Sequence, residues 1–290
     1  MKYGALVLIK NPNDAFSAFE SLKNKGFDCC QIIYKPKKYE LSDAQTLKEA
    51  AQRAGVEMTA QFCGFYDSAT VWDNDKGFLT AGLNIKKYAK SRLAYVKEAA
   101  RFVAAAGIPD IVVHAGFAPN NPYAKEYKLL IKELRELTAH CKTLGLNVCL
   151  ETGQEAPLVL LRMIEDVGAD NLFVNFDTGN VLLYGYGNPV DAARVFGKYV
   201  RSVHGKDGCL PESPRKLGKE TRLGEGYVDF PVVFGMLKGF GFDRCIIIER
   251  EFAGGAEAEQ KDILDGKAFL EKTWNEALPI SADFKYHVGE

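Results

Sequence analysis

The sequence predicts a single α/β domain folded as a (β/α)8 barrel, and three observations carry that reading. Short apolar runs and helix-period segments alternate eight times along 290 residues. The runs are rich in Val, Ile and Cys, as strands buried on both faces are. Neither a glycine-rich dinucleotide fingerprint nor a P-loop occurs, which favours a closed barrel over an open doubly wound sheet.

Each element follows from local pattern. The first strand covers 3–9 and precedes a helical pattern over 13–25. Strand 27–33 leads to helix 42–54, with Ser42 as its expected N-cap. Strand 56–62 is followed by a long irregular insert, 63–84, and then by helix 85–106. Strand 110–114 precedes an amphipathic helix over 122–144, which Gly145 should stop. Strand 146–151, helix 156–168 and strand 171–177 come next. Helix 189–198 starts with Pro189 in its first turn, where a missing N–H costs nothing. Strand 200–206, a loop, helix 229–239, strand 244–250 and helix 257–276 complete the series. The barrel is expected over 1–280, with 281–290 as a polar tail.

Composition removes several function classes. The net charge of −1 gives no electrostatic reason for a nucleic-acid or anionic-membrane partner. No run of eighteen apolar residues exists, and the first strand lacks a convincing secretory cleavage site, so a cytoplasmic protein is expected. Seven scattered cysteines without a C-x-x-C pair read as reduced thiols in the core. The adjacent Cys29 and Cys30 should point to opposite faces of their strand.

Four ligand-capable side chains end apolar runs: Glu151, Asp177, His204 and Glu249. In a parallel barrel the C-terminal strand ends share one rim, so these four become neighbours in space. Three carboxylates and one imidazole would repel without a cation, which points to a divalent metal site. The donor set is mostly hard oxygen and suits Mn2+ or Mg2+, with Co2+ or Zn2+ as alternatives. Taken singly, each has a plainer role. Glu151 could be a helix N-terminal acid, Asp177 a turn or helix cap, and His204 a satisfied core histidine. Glu249, after Cys245-Ile246-Ile247-Ile248, has the weakest alternative.

Other candidates surround that rim. His114 ends the fourth strand and is either a substrate or supporting contact or a buried histidine bonded to backbone. Lys206 lies two residues beyond His204, on the same strand face, where it could neutralise an enediolate or hold a phosphate. The loops 63–84 and 206–227 could form a lid. Trp72, with Tyr66 and Phe78, offers an apolar wall or merely packs its loop. Arg222 and Arg215 stand in the second loop.

Several phrases, in order, resemble the sugar isomerase/epimerase superfamily with xylose isomerase-like TIM barrels. They are Val113-His114-Ala115-Gly116, Leu150-Glu151-Thr152-Gly153-Gln154-Glu155, Asn175-Phe176-Asp177-Thr178-Gly179-Asn180, Val203-His204-Gly205-Lys206-Asp207, Leu223-Gly224-Glu225-Gly226 and Ile248-Glu249-Arg250-Glu251. The resemblance implies one divalent ion on Glu151, Asp177, His204 and Glu249. It also implies that Glu151 and Glu249 act as an acid/base pair on opposite faces of a small carbohydrate. This chain carries Asn180 where ketose 3-epimerases of the superfamily have a histidine, and Leu210 where they have an arginine. Asn180 and Arg222 are accordingly substrate-contact candidates, together with His114, Lys206 and Trp72.

The expected activity is isomerisation or epimerisation of a sugar or sugar phosphate by proton transfer through a metal-bound enediolate. The alternative is a lyase that dehydrates a keto-inositol or sugar acid from the same enediolate. A nuclease of the endonuclease IV kind needs a histidine-rich, multi-metal cluster, and four histidines do not supply one. A non-catalytic carbohydrate-binding barrel would show no metal-dependent turnover. Association into a homo-oligomer is left open.

Overall fold

The computed structural model describes residues 1–33, 39–64, 67, 69–251 and 255–281. Eight parallel strands close into a barrel. They are β1 (Lys2–Val7), β2 (Cys29–Ile33), β3 (Glu57–Cys63), β4 (Asp110–His114), β5 (Asn147–Glu151), β6 (Leu172–Asp177), β7 (Val200–Gly205) and β10 (Cys245–Ile248). Around the barrel the order is β1-β10-β7-β6-β5-β4-β3-β2, so the first and last strands pair and close the ring. A two-stranded antiparallel pair, β8 (Asp207–Gly208) and β9 (Glu220–Thr221), sits in the loop between β7 and β10.

The main helices are α1 (Ala15–Asn24), α2 (Asp43–Ala54), α4 (Ala89–Ala105), α5 (Lys125–Thr143), α6 (Pro157–Val167), α8 (Pro189–Phe196), α9 (Phe230–Gly239) and α10 (Ala256–Glu276). Their apolar stripes pack on the strands' outward side chains in one large core. The barrel interior is smaller and mixed. Cys29, Cys245 and Ile247 pack there with Leu6, and Ala60, Val112 and Cys149 pack with Phe62 and Phe173. Cys29 therefore faces inward and Cys30 faces the helices, as strand alternation requires. All seven cysteines are free thiols.

The expected boundaries hold to within a few residues, and the punctuation has visible causes. Gly145 adopts φ 72°, and Leu146 N–H returns to the Cys141 carbonyl, which ends α5. Asn188 accepts from Val190 N–H ahead of Pro189, which opens α8. Ser42 precedes α2 but makes no side-chain capping bond; Asp43 instead accepts from Glu40 N–H.

Two rim segments carry more structure than the sequence suggested. Within 63–84 lies the short helix α3 (Gly77–Thr80), where Asp73 Oδ1 accepts from the N–H groups of Asp75, Lys76 and Gly77. Helix α7 (Thr178–Leu183) follows β6 directly, in a stretch to which the sequence reading assigns no element. Tyr66, His287 and the expected tail beyond Ser281 lie outside the described residues. Among the described residues no helix is long and apolar enough to cross a membrane.

Candidate metal centre

Glu151 ends β5, Asp177 ends β6, His204 lies near the end of β7, and Glu249 follows β10. These strands are consecutive on one arc of the barrel, and the register sets Asp177 beside His204 and His204 beside Ile247. Ligand-capable atoms of the four side chains all lie within 4.8 Å of one another, and all four residues are buried. The structure thus brings together the set that the sequence singled out.

Local chemistry fixes each group. Asp177 Oδ1 accepts from Asn180 N–H at 2.7 Å and so starts α7. Its Oδ2 is buried without a hydrogen bond, facing Lys206 Nζ at 3.4 Å and His204 Nδ1 at 4.0 Å. Cap and candidate ligand are therefore two oxygens of one carboxylate. Thr152 Oγ1 clamps β5 to β6, donating to the Asp177 carbonyl and accepting from its N–H, both at 2.9 Å. His204 Nδ1 lies 3.0 Å from Glu151 Oε1 and 2.9 Å from Glu249 Oε2.

A polar layer lies directly beneath the four. His204 Nε2 donates to Gln31 Oε1 at 2.8 Å, and Gln31 Nε2 donates to Asn175 Oδ1 at 3.1 Å. Asn175 Nδ2 donates to Glu151 Oε2, and Ser202 Oγ donates to Asn175 Oδ1. Sequence reading missed these supports, although the signal was present. Asn175 and Ser202 stand two residues before Asp177 and His204, so strand alternation puts them on the same inward face.

The electrostatics follow from burial and charge count. Burial alone would push His204 down, but the Glu151 and Glu249 charges outweigh it and hold the imidazole well above its ordinary value. Burial likewise disfavours the Lys206 ammonium, yet Asp177, Glu249 and Glu251 keep it charged. Burial would raise Glu249, but Lys206 and His204 hold it ionised. Burial pushes Asp177 well above the usual carboxylate range, against the pull of Lys206. The carboxylates outnumber the described cations, which is the situation a divalent ion relieves.

The residues fit such an ion. Three oxygens and one nitrogen form a hard donor set, and one of them, Asp177 Oδ2, has no hydrogen bond. Donor atoms on opposite sides of an ion with bonds of about 2.1 Å stand roughly 4.2 Å apart. The four atoms, all within 4.8 Å of one another, are near that spacing.

A cavity of about 690 Å³ opens above the cluster and is lined by Glu151, Glu249, His114, Trp72, Asn180 and Lys206, among others. The Trp72 ring lies 4.7 Å from the His114 ring, and Phe62 meets His114 edge-on. His114 Nδ1 is buried without a hydrogen bond, and burial keeps the ring neutral against the pull of Glu151 and Glu249. Asn180 Oδ1 lies 3.5 Å from Lys206 Nζ. Arg222 does not join them. Its guanidinium is committed to Asp262, Asp265 and Glu225, and it does not line the cavity.

Asp207, next to Lys206, has a structural task. Its carboxylate accepts from four backbone N–H groups, those of Gly208, Gly224, Gly226 and Val228. Gly226 is required there, because a Cβ would stand 2.2 Å from Asp207 Oδ1. Replacing Asp207 by Ala is expected to cost about 3 kcal/mol, since four backbone N–H groups, two of them on buried residues, lose their shared acceptor. Hydrogen exchange should quicken at residues 224–228 and stay slow in β5 and β6. Unchanged exchange at 224–228 would show that the loop does not depend on this carboxylate.

The fold and this site place the chain among known proteins. A model for the xylose isomerase-like TIM barrel matches residues 19–273, and the chain belongs to that family. A xylose isomerase domain protein from Planctomyces limnophilus is similar in structure. It is 30% identical with a TM-score of 0.87, over 95% of this chain and 98% of that one. The 3-keto-D-glucoside 4-epimerase YcjR of E. coli shares the fold, at 18% identity and a TM-score of 0.69, over 94% and 99% of the two chains. An inosose dehydratase from Lacticaseibacillus casei is 24% identical over 176 residues, 54% of this chain and 57% of that protein.

Proposed function

We propose that the chain is a divalent-metal-dependent isomerase or epimerase of a small carbohydrate. One observation carries the reading. Glu151 and Glu249 reach the same point from β5 and β10, the strands that flank the β6–β7 pair, and both line the cavity. Two carboxylates that approach from different sides can take a proton from one face of a carbon and return it to another.

Glu151, Asp177, His204 and Glu249 would hold the ion, Mn2+ or Mg2+ by the hardness of their donors. The bound ion supplies Lewis-acid stabilisation of negative charge on substrate oxygens. The remaining work falls to side chains. One glutamate removes the proton from the carbon beside a carbonyl, leaving an enediolate. The other delivers a proton to the opposite face of that carbon, which inverts it, or to the neighbouring carbon while the hydroxyl hydrogen passes from one oxygen to the other, which exchanges aldose for ketose. The Lys206 ammonium, within 3.2 Å of Glu249 and 3.4 Å of Asp177, adds positive potential where that charge develops. Trp72 and the neutral His114 form one wall, an apolar face for sugar C–H groups beside a ring nitrogen for a hydroxyl. Asn180 offers an amide from the α7 side.

The dehydratase relative favours a second reading. There, the same first proton removal is followed by loss of a neighbouring hydroxyl from a keto-inositol or sugar acid. Incubation with candidate sugars and inososes in deuterated water separates the two. Solvent deuterium in an isomeric product supports the first reading, and a dehydrated product supports the second. Absence of any metal-dependent turnover across that panel would overturn both.

His204→Ala tests the ion directly. Removing the only nitrogen donor of the cluster is expected to raise the Kd for Mn2+ by about a hundredfold or more. Calorimetric titration of the apoprotein reads this, and undiminished affinity would remove His204 from the ligand set.

A further inference from the structure

The inward face of β2 carries Cys29, Gln31 and Ile33, and the interiors of such barrels are usually filled by branched apolar side chains. A fully buried glutamine at that position therefore calls for a reason. Its two amide atoms are both used: Oε1 faces His204 Nε2 and Nε2 faces Asn175 Oδ1.

The direction of every bond in this chain follows from one end. The Glu151 carboxylate accepts here, so the atom of Asn175 that meets it is the NH2 group. Asn175 Oδ1 then points away, and both Ser202 Oγ–H and the Gln31 NH2 donate to it. With its NH2 group spent on Asn175, Gln31 can offer His204 only a carbonyl oxygen. His204 Nε2 must then carry a hydrogen. In the neutral imidazole the other nitrogen, Nδ1, keeps its lone pair, and Nδ1 is the atom 2.9–3.0 Å from Glu249 and Glu151.

We infer that Gln31 is a positioning residue, which locks the His204 ring with Nε2 protonated and Nδ1 free to bind a divalent ion. This rests on the metal reading above. Among the described hydrogen bonds Gln31 reaches His204 and Asn175 and none of the clustered carboxylates, so it acts on the site through His204. Without it, the neutral ring could hold its proton on Nδ1, where it would compete with the cation.

The test compares wild type, Gln31→Met and Gln61→Met. Methionine fills similar volume without a hydrogen-bonding carbonyl. Gln61 is an equally buried glutamine on the next strand whose amide makes no hydrogen bond, so its replacement controls for loss of a buried amide alone. Titrating each apoprotein with MnCl2 should show a Kd raised about 10- to 100-fold for Gln31→Met and unchanged for Gln61→Met. Nitrogen-15 spectra of histidine-labelled, Mg2+-loaded wild type should show His204 as the Nε2–H tautomer. Gln31→Met should lose that single-tautomer pattern.

Equal affinities for wild type and Gln31→Met, or equal losses in both variants, would overturn the inference and leave the metal site standing. An Nδ1–H signal for His204 in the loaded wild type would overturn it without any variant. Failure of wild type to bind Mn2+ at all would sink the metal reading and this inference with it.

Discussion

Glu249→Gln is expected to lower turnover about a thousandfold, which corresponds to about 4 kcal/mol of transition-state stabilisation. The side chain is held from several directions. Its carboxylate meets His204 Nδ1 at 2.9 Å and Lys206 Nζ at 3.2 Å, and its N–H donates to the Gly205 carbonyl at 3.3 Å. Against the effect of burial, Lys206 and His204 keep it ionised and ready to accept a proton. The amide keeps the shape but neither accepts a proton nor supplies a full charge to the cation. Turnover at saturating Mn2+ and solvent-deuterium entry into substrate should fall together, with the melting temperature little changed. Undiminished turnover would remove Glu249 from the chemistry.

Glu155→Gln is expected to change stability, in a pH-dependent way. Both Glu155 carboxylate oxygens are buried, and burial, with a small push from the Glu151 charge, raises the group to about 8 against the pull of the Gly153 and Gln154 backbone N–H groups. The unfolded chain releases this proton near the ordinary glutamate value of 4.5, whereas the folded chain keeps it until about 8. Between those pH values the unfolded state binds fewer protons, so wild-type stability falls as pH rises and levels off above the folded value. The variant does not titrate here and should show a flatter profile, so that wild type loses up to about 5 kcal/mol relative to it between pH 4.5 and 8. Denaturant unfolding from pH 5 to 9 measures it. Parallel profiles for the two proteins would show that Glu155 is not held protonated.

The barrel was legible because its strands are unusually plain. Runs such as Cys245-Ile246-Ile247-Ile248 admit little but a strand buried on both faces, and eight of them leave few topologies. The four clustered residues were legible for the same reason, each being the polar stop of such a run. What escaped was local or long-range. Helix α7 went unassigned although a helix cap was one role weighed for Asp177, because cap and cluster member stood as alternatives and only the structure gives its two oxygens two tasks. Arg222 was read as a substrate contact from its place in a rim loop. Its partners Asp262 and Asp265 come from α10, and no local pattern announces that pairing. Gln31 lies far from His204 in sequence, and a glutamine between two apolar pairs gives no hint of which strand it will face.

The four acidic and imidazole groups occupy only the arc from β5 to β10, the part of the barrel drawn from the second half of the chain. From the first half, β2 adds one amide beneath them, while the segment after β3 adds Trp72 and the end of β4 adds His114 to the cavity wall. Part of the cavity wall and the four clustered groups thus come from separable stretches of sequence. A chimera that exchanged residues 64–84 for those of a relative would be expected to accept different sugars while keeping its hold on the cation. A barrel of this kind can diversify its diet without rebuilding its hearth.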